Sequence, residues 1–159
     1  MDLSQLLHHS VCGGLGAAGF AILFNVRFRA LPSCAAMGAL ATALRTLVLG
    51  YGWTMEAATF VTALGLALAV QLLPVPNGVS RNAMNVVGVI PMIPGGLVAK
   101  AIPGLFAITA TPPAVIGEMV PTALAYALHV AFVIFALGTG LAIPTVLMKP
   151  RTPEQRTPE

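Results

Sequence analysis

Val86-Val87-Gly88-Val89-Ile90-Pro91-Met92-Ile93-Pro94-Gly95-Gly96 is an apolar run interrupted by two prolines and closed by two glycines. Proline lacks an amide proton and crowds the carbonyl four residues back, so Pro91 and Pro94 take the usual helical partners from the carbonyls of Val87 and Ile90. Gly95 and Gly96 then let the backbone leave helical angles. In hydrocarbon such a break persists where protein packs around it or where it lines a polar cavity. Proline kinks can also serve packing alone. Here, however, Asn82 and Asn85 precede the break and Lys100 follows it, and polar groups at membrane depth are expensive without a use. The run reads as a discontinuous membrane helix and a candidate binding site.

The rest of the chain sets lipid as the solvent. Of 159 residues, 57% are hydrophobic and only 8% charged, with a mean hydropathy of +0.90, whereas soluble domains carry about a quarter charged residues. The expected fold class is all-α, a polytopic membrane protein with about five transmembrane helices, the fourth discontinuous at the Pro-x-x-Pro-Gly-Gly break. A net charge of +3 does not point to nucleic acid, because no basic face with interleaved aromatics exists. Cys12 and Cys34 fall in apolar stretches, where thiols behave as small hydrophobes, so no disulfide is expected. His8, His9 and His129 have no second donor at a metal-ligand spacing, and no metal or cofactor site is expected. Met1-Asp2-Leu3-Ser4 lacks the positive region of a signal peptide, so the first apolar stretch is expected to remain as a span.

The transmembrane domain is expected over 1–148. Its first span covers about 6–24 and is rich in small residues; Gly13 with Ala17, and Gly14 with Ala18, form small-xxx-small pairs that admit another helix, in this chain or a second one. A basic loop, Asn25-Val26-Arg27-Phe28-Arg29, leads to Pro32 in a first helical turn and a second span over about 31–49. The aromatics of Gly50-Tyr51-Gly52-Trp53 suit an interface, and a third span over about 57–73 ends at Pro74-Val75-Pro76-Asn77-Gly78. The fourth covers about 82–106. A re-entrant hairpin turning at Gly95-Gly96 is its rival, and would invert everything downstream. Ala110 to Val120, with Pro112, Pro113 and Glu118, reads as a loop or short interfacial helix, and the fifth span covers about 122–147. The tail 149–159 repeats Arg-Thr-Pro-Glu around one Gln, too polar and proline-rich to fold alone, and is expected to be a disordered cytoplasmic end.

With five spans, Arg27, Arg29, Arg81, Lys149, Arg151 and Arg156 share one side, while Asp2, Glu56 and Glu118 share the other. The positive-inside rule then puts the N-terminus outside and the C-terminus in the cytoplasm. Two cations remain within the spans. Arg45 lies roughly 8 Å and Lys100 roughly 9 Å below the outer ends of their helices. Snorkelling to the headgroups would explain both. Yet no acid within the spans neutralises them, and two cations at one depth suit a bound anion or carboxylate. The expected binding residues are therefore Lys100, Arg45, Asn85, Pro91, Pro94, Gly95 and Gly96, and Lys100→Ala is expected to reduce transport without reducing abundance. An enzyme is not expected. Glu56 and Glu118 fall in different outer loops and His129 has no evident partner, so neither a nucleophile with its base nor a carboxylate pair is in view.

Gly19-Phe20-Ala21-Ile22-Leu23-Phe24-Asn25-Val26, Arg29-Ala30-Leu31 with Cys34-Ala35, Ala58-Thr59-Phe60, and Val89 to Gly96 occur in the order seen in the C-terminal half of threonine/serine exporters of the ThrE type. The chain most resembles that family's free-standing small subunit, the YjjB-like branch. The resemblance covers nearly everything before the Arg-Thr-Pro-Glu tail. It implies a bacterial inner-membrane subunit that acts with a larger YjjP-like membrane subunit to export a small carboxylate, threonine or serine or a succinate-type dicarboxylate. It also implies an inverted repeat between two halves, with a substrate site at their interface near broken helices. Asn25, Arg29, Arg45, Pro91, Pro94 and Gly95 match the family's residue types, while Arg27 stands where many members have proline. Two other readings remain open: a structural or assembly subunit without a substrate site, and a self-sufficient homo-oligomeric channel.

Overall fold

The computed structural model describes residues 3–73, 79–110, 117 and 119–148. The turn 74–78, most of the stretch between Ala110 and Val120, including Pro112, Pro113 and Glu118, and the tail 149–159 lie outside the described residues. Among the described residues the fold has six α-helices: α1 (Leu3–Leu23), α2 (Leu31–Gly50), α3 (Met55–Leu72), α4 (Arg81–Val89), α5 (Gly95–Ala110) and α6 (Met119–Leu147). No strand occurs among the described residues. Four segments are each long and apolar enough to cross a membrane, and α4 with α5, apolar enough together but bent at a break, makes a fifth if the pair is one span. The chain is an all-α polytopic membrane protein.

Local chemistry sets the helix ends. At the end of α1, the amide of Val26 reaches back to the carbonyl of Ala21, and that of Asn25 to Ile22. Asn25 takes a left-handed φ of 55°, so the helix closes in a Schellman motif with Val26 folded onto the core. Asn tolerates that conformation better than most side chains. A 3-10 turn over Phe28–Ala30 then feeds α2, which carries its proline in the first turn. The hydroxyl of Thr54 caps α3 and that of Ser80 caps α4, accepting from the amides of Ala57 and Ala83.

The small residues of α1 find their partner within this chain. Gly13, Gly14, Ala17 and Ala21 are buried against the Cys34, Gly38 and Ala41 face of α2. A methyl group on Gly38 would stand 2.3 Å from the Ala17 Cβ and 2.6 Å from the Gly13 carbonyl oxygen, so the two backbones are in near contact. A second close approach joins α3 to α6, where a Cβ on Gly140 would meet Ala63 at 2.8 Å and the Phe60 carbonyl oxygen at 2.9 Å. Between these two pairs, Met84, Val87 and Met92 fill a core shared with Met37, Leu66, Val70 and Val133.

A 3-10 turn over Ile90–Met92 ends α4, and the axis then turns by 65° into α5. This tighter winding changes which carbonyl is left over. Ile90, expected to lose its partner to Pro94, accepts from the Ile93 amide at 3.0 Å; Ile93 then goes extended, with φ −59° and ψ 129°, as the residue before proline prefers. Pro94 is buried, while Gly95 and Gly96 are exposed where α5 begins.

Candidate functional site

A cavity of about 560 Å³ lies among α3, α4 and α6, lined by Gln71, Arg81, Asn82, Asn85, Gly138 and Thr145, with Val86, Leu141 and Ala142 as its apolar part. Each helix contributes for a local reason. Gln71 sits at the end of α3 just before its C-cap, and Ser80 starts α4 so that Arg81, Asn82 and Asn85 project from its first turns. Thr145 comes next to Pro144, near the end of α6. Asn82 and Ala142 are exposed at the mouth. Phe24 and Val26, from the loop that carries Arg27 and Arg29, line a smaller cavity with Asn82, so the mouth and those arginines share one end of the bundle.

Two polar groups define the chemistry of the cavity. Arg81 donates through Nη1 to the carbonyls of Val70 and Gln71, at 2.8 Å for the latter, and at 3.3 Å to Leu73. Its charge therefore caps the negative end of α3 while the rest of the guanidinium borders the cavity. Asn85 is only 2% exposed, yet neither its amide nitrogen nor its amide oxygen has a hydrogen-bond partner. A buried amide left in that state costs roughly 1–3 kcal/mol. Both atoms are closed off from the cavity as the side chain stands, so a ligand or water would satisfy them once the amide turned toward the cavity that the residue lines.

The two intramembrane cations meet different partners. Arg45, on α2, donates from Nη1 to the carbonyl of Met92 at 2.9 Å, binding α2 to the break itself. Its Nε and Nη2 are buried and unpartnered. Lys100 lies on the exposed face of α5 with its ammonium 5.5 Å from the centre of the Tyr126 ring on α6. Of the residues expected at the site, Arg45, Pro91 and Pro94 gather at the break, Asn85 faces the cavity, and Lys100, Gly95 and Gly96 lie on the exposed side of α5. Pro91 packs beside α1, within 3.7 Å of where a Cβ on Gly16 would stand.

Sequence reasoning missed Gln71, Arg81 and Thr145 as cavity residues. Arg81 had been read only as a marker of topology, and a cation one residue after a Ser N-cap was the available sign. It also missed the partner of His129, whose Nδ1 lies 2.5 Å from Glu56 Oε1 across α3 and α6. Seventy-three residues separate the two in sequence.

Residues 9–147 match the protein family described as Threonine/Serine exporter, ThrE. The chain belongs to that family. No solved structure matches it. Membership in the ThrE family indicates threonine/serine exporter-type transport, and an open cavity with a few polar groups on a largely apolar wall, beside the bend between two membrane helices, suits that task.

Proposed function

We propose that this ThrE-family chain is the smaller subunit of a two-component exporter of small carboxylates in the bacterial inner membrane, acting with a larger YjjP-like subunit. The cavity around the unpartnered Asn85 amide carries the reading. Arg81 would hold the substrate carboxylate, while Asn82, Asn85, Gln71 and Thr145 offer neutral donors and acceptors to an amino or hydroxyl group. Arg81 is the one charged residue among the described lining. A single cation suits threonine or serine better than a succinate-type dicarboxylate, whose second carboxylate would enter without a counter-charge.

Orientation follows from the same end of the molecule. Arg81 lines the cavity, and the loop carrying Arg27 and Arg29 lies at the same end of the bundle; the bias of basic loops toward the cytoplasm would place the N-terminus in the periplasm and the C-terminus inside. The cavity would then face the compartment in which cargo is loaded for export.

Efflux of labelled threonine and labelled succinate from cells making this chain alone, the larger subunit alone, or both together tests the proposal. Efflux of threonine only when both chains are present is the expected result. Efflux from this chain alone would replace the subunit reading with a homo-oligomer, and efflux from the larger chain alone would leave this one a structural role.

A further inference from the structure

Arg45 has more binding capacity than its contact uses. One hydrogen bond to the Met92 carbonyl would need only one neutral donor of the right length, as a glutamine side chain could supply. The guanidinium instead brings a full charge and two further buried nitrogens, Nε and Nη2, that meet nothing. Burying unpaired charged donors is among the more expensive arrangements a fold can hold. Moreover, Nε and Nη2 form one edge of the guanidinium, the edge whose two parallel N–H groups match the two oxygens of a carboxylate.

The surroundings are electropositive as well. The 16-residue helix α5 begins at Gly95, three residues beyond the carbonyl that anchors Arg45, so the positive end of its dipole lies at the same break. The only acid among the described residues is Glu56, and it is engaged by His129. Arg45 therefore has an anchored fork, a supporting dipole and, among the described residues, no anion. The free edge is shut off from the surface, so an anion could reach it only if α5 swung relative to α4 about the extended Ile93-Pro94 link.

We propose that the Nε/Nη2 edge of Arg45 is a second carboxylate station of the transport path, occluded in this conformation and uncovered when the break opens. The proposal rests on the exporter reading above, with Arg81 and Asn85 as the first station. Met92 follows Asn85 by seven residues, which at helical rise puts the second station about 10 Å deeper into the bundle. Arg81 receives the carboxylate at the mouth; Arg45 takes it over as α5 moves. Met92 then loses its donor unless Arg45 stays on its carbonyl, which ties the opening of the break to the arrival of an anion.

The test uses a chain with Cys12→Ser and Cys34→Ala that carries one new cysteine, either Ile93→Cys at the break or Ala142→Cys at the cavity. It is made together with the larger subunit, and maleimide labelling is timed in isolated membranes. Threonine and succinate are the probes; threonine amide and succinamide, which lack carboxylates, are the controls. Threonine or succinate is expected to slow labelling at position 93 at least threefold and the amides to leave it unchanged. Arg45→Gln is expected to abolish protection at 93 while sparing it at 142, and Arg45→Lys to restore less than half of it. Protection at 142 without protection at 93 would overturn the second station and keep the cavity. Protection at 93 alone would overturn the cavity as first station, and protection at neither would overturn both. Equal protection by the amides, or full protection in Arg45→Gln or Arg45→Lys, would show that no carboxylate fork operates at Arg45. Should the Arg45 variants fail to accumulate, the comparison of acids with amides in the chain that keeps Arg45 still decides.

Discussion

The hairpin of α1 and α2 is apolar along both helices, whereas the broken pair joins a less apolar α4 to an apolar α5, and the two are held in different ways. In the hairpin, glycine and alanine bring two backbones together over Gly13, Ala17 and Gly38 until a single added methyl group would collide. Around the break, the axis bends by 65°, a carbonyl borrows its donor from another helix, and buried amide and guanidinium groups are left unpartnered. Lipid tails are as apolar as the side chains they touch, so close packing holds membrane helices together. The hairpin spends its sequence on that packing. The broken pair packs Met84, Val87 and Met92 into the core and carries unpartnered polar groups beside them.

If that division is right, substitutions should separate stability from transport. The largest effect is expected for Gly38→Leu, which drives a branched side chain into the backbone of α1. The fold should lose about 3 kcal/mol, and little protein should reach the membrane in a fractionation blot. Normal abundance would mean that the hairpin can yield and that its close approach is not what holds it. Next comes Asn85→Leu, which removes an unpartnered buried amide. Thermal unfolding in detergent should show a chain as stable or about 1 kcal/mol more stable, while threonine efflux falls about tenfold. A chain that loses stability and keeps its efflux would place Asn85 in the structural group with Gly38.

The third test addresses the far end of α3 and α6. These helices part around the cavity at Gln71 and Thr145, but are tied by Glu56 in the first turn of α3 and His129 in the first half of α6. His129 is more than half exposed, so Glu56→Gln should cost under about 1 kcal/mol; a larger loss on unfolding would show that the tie is desolvated by a neighbouring chain. Smallest of all is Lys100→Ala. An exposed cation over one aromatic ring contributes about 0.5–1 kcal/mol, and efflux should stay within about twofold of the unsubstituted chain. A tenfold drop would instead bring the exposed face of α5 into the path, as the charge inventory of the sequence first suggested.

Much of this architecture was legible beforehand because it rests on local rules. Composition named the solvent, and Pro91 and Pro94 located the break. The site was only half legible. Asn85 and Arg45 stood out as polar residues in apolar runs, but their roles divided, one facing a cavity and the other clamping a carbonyl. Arg81 looked like an ordinary loop cation because its use depends on where α3 ends. Lys100 and Arg45 shared a depth on paper, yet depth along two helices says nothing about the direction in which each side chain faces.

By itself, the sequence determined that the chain is helical and lies in a membrane, and that its fourth apolar segment is broken. Helix formation, capping and proline chemistry act within four or five residues, and lipid leaves the backbone no alternative. The tertiary structure decided which carbonyl at the break needs a donor and that Arg45, 47 residues away, supplies it. It also decided that α1 packs on α2, that Glu56 meets His129, and that α3, α4 and α6 part around Asn85. Those outcomes turn on the close fit of one helix face against another, and for helices that are apolar all round, as α1, α2, α3 and α6 nearly are, no local rule chooses the face.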